Sequence, residues 1–109
     1  MRDTNHNERL EEAITREAAQ FFEREGNRSA LITITNTVLT KRGNGATIFV
    51  SVFPSDKEQA ALDFVERNLG ELRLALKERI KSRRIPTLRV IADHGEQARE
   101  EINRLLREE

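Results

Sequence analysis

The amino-acid sequence predicts a single α+β domain with the element order α-β-β-α-β-α and a three-stranded sheet. Three observations carry that expectation. A chain of 109 residues, 37% apolar and 35% charged, has the length of one compact unit and no room for a second. Apolar residues recur at spacings of three and four in three stretches. Two runs of β-branched residues with period two are joined by Gly43-Asn44-Gly45, whose residues tolerate the positive φ of a tight hairpin turn.

In the first helix Leu10, Ile14, Ala18, Phe21 and Phe22 fall on one stripe over residues 7–25, and Gly26-Asn27 ends it. Residues 1–6 are expected to be disordered. Over residues 30–40, Thr33, Thr35 and Thr37 alternate with Ile32, Ile34 and Asn36, a strand with one buried face. Its hairpin partner sets Ala46, Ile48, Val50 and Val52 against Thr47, Phe49, Ser51 and Phe53. Ser55, with Glu58 three residues on, has the form of a capping box and opens a long helix. Leu62, Val65, Leu69, Leu72, Leu76 and Ile80 carry its stripe to about residue 82. Gly70 interrupts that run where glycine costs about 1 kcal/mol relative to alanine, which points to a kink or a close backbone approach. Pro86 stops the helix. Leu88, Val90 and Ala92 form a third strand, Asp93 and Glu96 a second possible cap, and Ala98, Ile102, Leu105 and Leu106 the last helix.

Several function classes drop out. Nineteen basic residues balance nineteen acidic ones, so any basic surface must be local. Without cysteine there is no disulfide framework, thiolate metal site or cysteine nucleophile. Apolar runs are too short to span a membrane, and the N-terminus has no apolar core behind its charge, so the expected location is cytoplasmic. His6 and His94 belong to no two-histidine helical pair, and Gly43-Asn44-Gly45 lacks the third glycine and the helix of a nucleotide-binding turn. The acids are scattered over helix starts and faces. No cofactor, metal, small-molecule substrate or catalytic role is expected.

The charge is unevenly placed. Residues 67–89 hold eight basic residues against Glu71 and Glu78, a net of plus six. On one continuous helix, Arg73, Lys77, Lys81 and Arg84 fall within a sector of roughly 80°, with Gly70 inside it. A basic ridge beside a residue without a side chain suits a phosphate that approaches the backbone while Lys and Arg neutralise it.

The ordered motifs resemble a family. Ile32-Thr33-Ile34-Thr35, Ala46-Thr47-Ile48-Phe49-Val50-Ser51-Val52, Gly70-Glu71-Leu72-Arg73, Arg84-Ile85-Pro86-Thr87-Leu88 and Ile102-Asn103-Arg104-Leu105-Leu106 follow the order of ribosome-binding factor A, a bacterial small-subunit assembly factor, over residues 9–106. The resemblance implies a type II KH-like fold, here one domain over residues 1–109. In it a kinked helix junction with an Ala-x-Gly pattern replaces the glycine-rich RNA loop. This chain reads Asn68-Leu69-Gly70 there, keeping the glycine and not the alanine. It has Gly26-Asn27-Arg28-Ser29 where relatives often carry Asp-Pro-Arg, and Lys41-Arg42-Gly43 where they have a basic-acidic pair.

The implied function is non-catalytic binding of the immature small (30S) ribosomal subunit and its 16S rRNA, favouring maturation, by a chain acting as a monomer. The residues expected at RNA are Gly70, Arg73, Lys77, Lys81, Arg83 and Arg84. The alternative is a protein-interaction or homodimerisation domain that uses the Leu-rich long helix or a sheet edge.

Overall fold

The computed structural model describes the backbone of residues 2–24, 30–81 and 84–107, with side chains from residue 7 to 23 in the first segment. Helix α1 (Arg2–Arg24) is followed by strands β1 (Leu31–Leu39) and β2 (Gly45–Phe53) and a 3-10 turn (Ser55–Lys57). Then come helices α2 (Glu58–Arg67) and α3 (Leu69–Arg79), strand β3 (Thr87–Ala92) and helix α4 (Glu96–Arg107).

β2 lies in the middle of the sheet, antiparallel to β1 and parallel to β3. A parallel pair needs a long crossover, and α2 with α3 supply it. These two helices and α1 cover one face, where Ile14, Ala18, Ile34, Ile48, Val50, Val65, Leu72 and Leu76 form the main core. On the other face α4 sets Ile102 and Leu106 over Val38, Phe49 and Ile91. The α+β class, the element order and the KH-like arrangement agree with the sequence.

Several local expectations are corrected. Residues 46–50 of β2 are buried on both sides, because α4 returns across the second face. The alternation of β1 is broken by a bulge at Thr35. Ile34 pairs with Val50 and Asn36 with Phe49, so Ile34 and Leu39, of opposite parity, share the main core. The described first helix is longer than its apolar stripe. α1 is described from Arg2, and residues 2–6 contain neither Pro nor Gly. Its expected stop, Gly26-Asn27, lies outside the described residues.

Ser55 makes no capping bond. Residues 55–57 form the 3-10 turn, which closes through the Lys57 N–H to Pro54 O bond, and α2 begins at Glu58 without a side-chain cap. The long helix breaks at Asn68 (φ −104°, ψ 7°), two residues before Gly70, and so forms two helices. α3 then ends at Arg79, because Ile80 turns extended (φ −104°, ψ 118°). That turn frees Ile85 and Pro86 to be buried ahead of β3. In α4 the inward line runs through Arg99, Ile102, Asn103 and Leu106, leaving Ala98 and Leu105 exposed.

Candidate nucleic-acid interface

Asn68 builds the α2–α3 junction. Its Nδ2 donates to the Phe64 carbonyl at 2.8 Å and closes the end of α2, while its own carbonyl accepts from the Leu72 N–H at 3.0 Å and starts α3. With the side chain turned back on α2, α3 has no side-chain cap. The N–H groups of Leu69, Gly70 and Glu71 therefore have no acceptor within the helix. An asparagine at this position makes a junction bond that an alanine cannot.

Gly70 lies one residue into α3 and is exposed, and a Cβ built on it would meet no atom within 4 Å. Positive φ among the described glycines occurs at Gly43 and Gly95, so Gly70 answers no backbone demand. What it provides is a bare first turn.

Around the axis of α3, Gly70, Arg73 and Lys77 share one flank. Leu74, 57% exposed, forms the crest, and Glu71 and Glu78 occupy the far flank. The half-buried Arg73 is a tether: Nη2 donates to the Ile85 carbonyl at 2.7 Å and Nε to that of Pro86 at 3.3 Å. That clamp holds the basic flank of α3 against the loop that carries Arg84. Lys77, Lys81 and Arg84 are exposed. Lys81 and Arg84 lie on the loop after α3, not on its face, since the helix stops at Arg79. The expected single helical ridge is thus a flank of α3 plus the loop it holds. Arg83 lies outside the described residues.

Sequence reasoning missed Lys41 and Arg42 at the hairpin tip. The Thr87 N–H donates to the Asn44 carbonyl at 3.1 Å and Gly45 pairs with Thr87, which sets the tip beside the loop of Arg84. Both side chains are exposed, as is Arg89 on β3. The signal was available: a helical crossover between strands implies parallel pairing, which brings the start of β3 to the start of β2.

The far end of the sheet is closed by paired charges. Asp93, just after β3, accepts from Thr35 Oγ1 at 2.6 Å, the Gly95 N–H at 3.1 Å and Arg99 Nη1 at 2.6 Å. Burial pushes its carboxyl up, but the bonds from Thr35, Gly95 and Arg99 outweigh that and leave it below the ordinary value of 3.8. His94 Nε2 sits 2.9 and 3.1 Å from the two carboxylate oxygens of Glu58 at the start of α2. Among the described residues no cluster of three or more His, Cys, Asp or Glu could hold a metal, and no helix is long and apolar enough to cross a membrane.

The family model for ribosome-binding factor A matches residues 6–106. The chain belongs to the ribosome-binding factor A family. A relative with that name from Kosmotoga olearia is 35% identical over 79 residues, covering 72% of this chain and 63% of the relative, so less than two thirds of its length is spanned. Another, from Desulforamulus reducens, is 34% identical over 84 residues, 74% of this chain and 70% of that protein. The crystal structure of ribosome-binding factor A from Thermus thermophilus superposes with a TM-score of 0.70 at 28% identity, covering 79% of this chain and 94% of that one.

Proposed function

We propose that this chain binds the immature small ribosomal subunit in the cytoplasm and contacts 16S rRNA through the α2–α3 junction and the loop after α3. It favours maturation without covalent chemistry, by binding one RNA conformer more tightly than another. Family membership supports a ribosome-associated role. The observation that carries the RNA reading is the bare first turn of α3 at Gly70, flanked by Lys77 and by the loop that Arg73 holds in place. A phosphate can meet free backbone N–H groups there, with Lys77, Lys81, Arg83 and Arg84 neutralising its neighbours. One copy of the chain suffices for that contact.

Aromatic readout contributes little. The sequence has no Trp or Tyr; Phe21, Phe22 and Phe49 are buried and Phe64 half-buried. Phe53 is exposed, but at the end of β2 away from the basic loop. Recognition is therefore by shape and phosphate.

The test is cosedimentation with purified immature and mature small subunits at several salt concentrations. The expected result is preference for the immature particle and a log affinity that falls with log salt by roughly 3 units or more, for four or five phosphate contacts. A slope near zero overturns the RNA reading.

A further inference from the structure

Among the described residues, one half of a sheet edge is closed and the other half is open. β1 is an edge strand. Along its second half Glu11 Oε2 accepts the Leu39 N–H at 2.9 Å, the Thr15 hydroxyl donates to that of Thr37 at 2.8 Å, and Arg107 of α4 reaches Glu11 at 3.4 Å. Along its first half, residues 30–34 face a groove of about 390 Å³ walled by Ala19, Phe22 and Glu23 of α1.

The backbone direction in that groove follows from one hydrogen bond. The Val50 carbonyl accepts from the Asp93 N–H at 2.7 Å, on the β3 side of β2. Its cross-strand partner Ile34 therefore stands at a non-hydrogen-bonded position, with its own N–H and C=O pointing away from β2. By alternation those of Ile32 point the same way. Natural edges are blunted by charge, proline or bulges; residues 30–40 contain no Lys, Arg, Asp, Glu or Pro, and the bulge at Thr35 lies beyond the free half. Leu31 and its cross-strand partner Phe53 are 66% and 72% exposed beside this opening.

We propose that the free half of β1 is a strand-addition site for a second copy of this chain, with the two β1 strands pairing antiparallel about Thr33. That register sets Ile32 opposite Ile34 of the second copy, so the residues whose backbone groups point outward exchange their bonds with one another. The same two-fold axis lays α1 antiparallel to its counterpart near Ala19, an exposed residue small enough for close approach. Arg16 and Glu23 lie with Ala19 on one exposed stripe of α1, at spacings of three and four. The axis brings Arg16 of each copy to Glu23 of the other. An unrelated strand could match the backbone, but only a second copy matches this charge pair by symmetry. The contact is small, so association is weak and concentration-dependent.

The test is the solution mass of the full chain over roughly 10 μM to 1 mM, a range suited to so small an interface, with amide exchange followed at Ile32 and Ile34. Mass is expected to rise with concentration while exchange at these two amides slows. Thr33→Lys places like charges opposite each other at the axis and weakens association by about fivefold. Arg16→Glu alone also weakens it, and the double variant Arg16→Glu with Glu23→Arg restores it. All three positions are exposed, so a circular dichroism melt should show each variant folded. A parent that stays monomeric throughout, a mass rise without slowed exchange at Ile32 and Ile34, or a double variant no better than Arg16→Glu overturns the proposal. None of these substitutions touches α3, so the outcome is separate from that of the RNA reading.

Discussion

α3 with its following loop carries six cations and α4 three, and the two regions use them in opposite ways. On α4 each arginine meets a carboxylate: Arg99 meets Asp93 at 2.6 Å, Arg104 meets Glu101 at 3.8 Å, and Arg107 meets Glu11 at 3.4 Å. Two of those partners are nearly buried, with 5% and 10% of their side chains exposed, so Arg99 and Arg107 fasten α4 to the sheet and to α1. On the α3 side, Arg73 donates to backbone carbonyls, which leaves its charge uncancelled, and Lys77, Lys81 and Arg84 stand exposed. Only Arg79 approaches a carboxylate there among the described residues, Glu17 at 3.9 Å. The count of basic residues is therefore only part of what sets the field they produce. Whether each guanidinium or ammonium faces a carboxylate or a carbonyl decides whether the segment serves the fold or an external anion.

The sharpest way to break this contrast is at the α4 end. Asp93→Ala removes the acceptor of Thr35, Gly95 and Arg99 at once, and is expected to lower stability by about 2–3 kcal/mol, read as a shift in the urea midpoint, with subunit binding retained in the folded fraction. The acid limb follows from the same group. Its folded carboxyl lies below 3.8, so its contribution is present above that pH and is lost as pH falls through the folded value. In Asp93→Asn that part of the acid dependence should disappear from the stability curve. An unchanged acid limb would show that the Asp93 node is not what anchors α4.

Next in size is the tether on the α3 side. Arg73→Ala loses two bonds to the loop before β3 and should cost about 1–2 kcal/mol while also weakening subunit binding, since the loop is no longer held against α3. Arg73→Lys cannot span both carbonyls and should recover the charge without recovering the stability. If lysine restores both, Arg73 acts only as a charge.

How much of this was legible in the sequence depends on the range of the signal. The stripe Ile14, Ala18, Phe21 and Phe22, the hairpin around Gly43 and the element order all follow from local spacing, and the structure has them. What failed needs tertiary knowledge. The bulge at Thr35 is fixed by Asp93, 58 residues away, whose carboxylate takes the Thr35 hydroxyl. The break at Asn68 comes from a side chain that bonds backward to Phe64, while the nearby glycine drew attention because glycine is the more frequent helix breaker. Lys81 and Arg84 looked like parts of one ridge because a wheel assumes a continuous helix. The burial of Ile85 and Pro86 ends α3 earlier. Lys41 and Arg42 are remote in sequence from the basic segment and join it only through the parallel pairing of β2 and β3.

A smaller effect separates fold from function at Gly70. Added carbon there meets nothing within 4 Å and the backbone is helical, so Gly70→Ala should raise stability by up to about 1 kcal/mol. Gly70→Leu should stay folded yet weaken cosedimentation with immature subunits, because the side chain occupies the bare turn. A variant that melts no lower and cosediments as well as the parent would remove Gly70 from the interface.

The smallest expected effects test the comparison most directly, because they change charge and almost nothing else. Changing Lys77 and Lys81 to Gln removes up to two phosphate contacts, so the salt dependence of subunit binding should flatten by roughly 1 to 2 units. Stability should stay within about 0.5 kcal/mol, as expected for exposed sites. The matched substitution on the other helix is Arg104→Gln. Its partner Glu101 sits one turn away and both side chains are more than 60% exposed, so the pair adds little to stability and nothing to the field around α3. The slope and the melt should both be unchanged. If instead Arg104→Gln flattens the slope while the lysine pair leaves it intact, the anion is bound by α4 and the assignment of the two helices is reversed. The decisive quantity is the slope, since a general loss of affinity would follow from either surface, whereas the number of counterions released belongs only to the cations that touch phosphate.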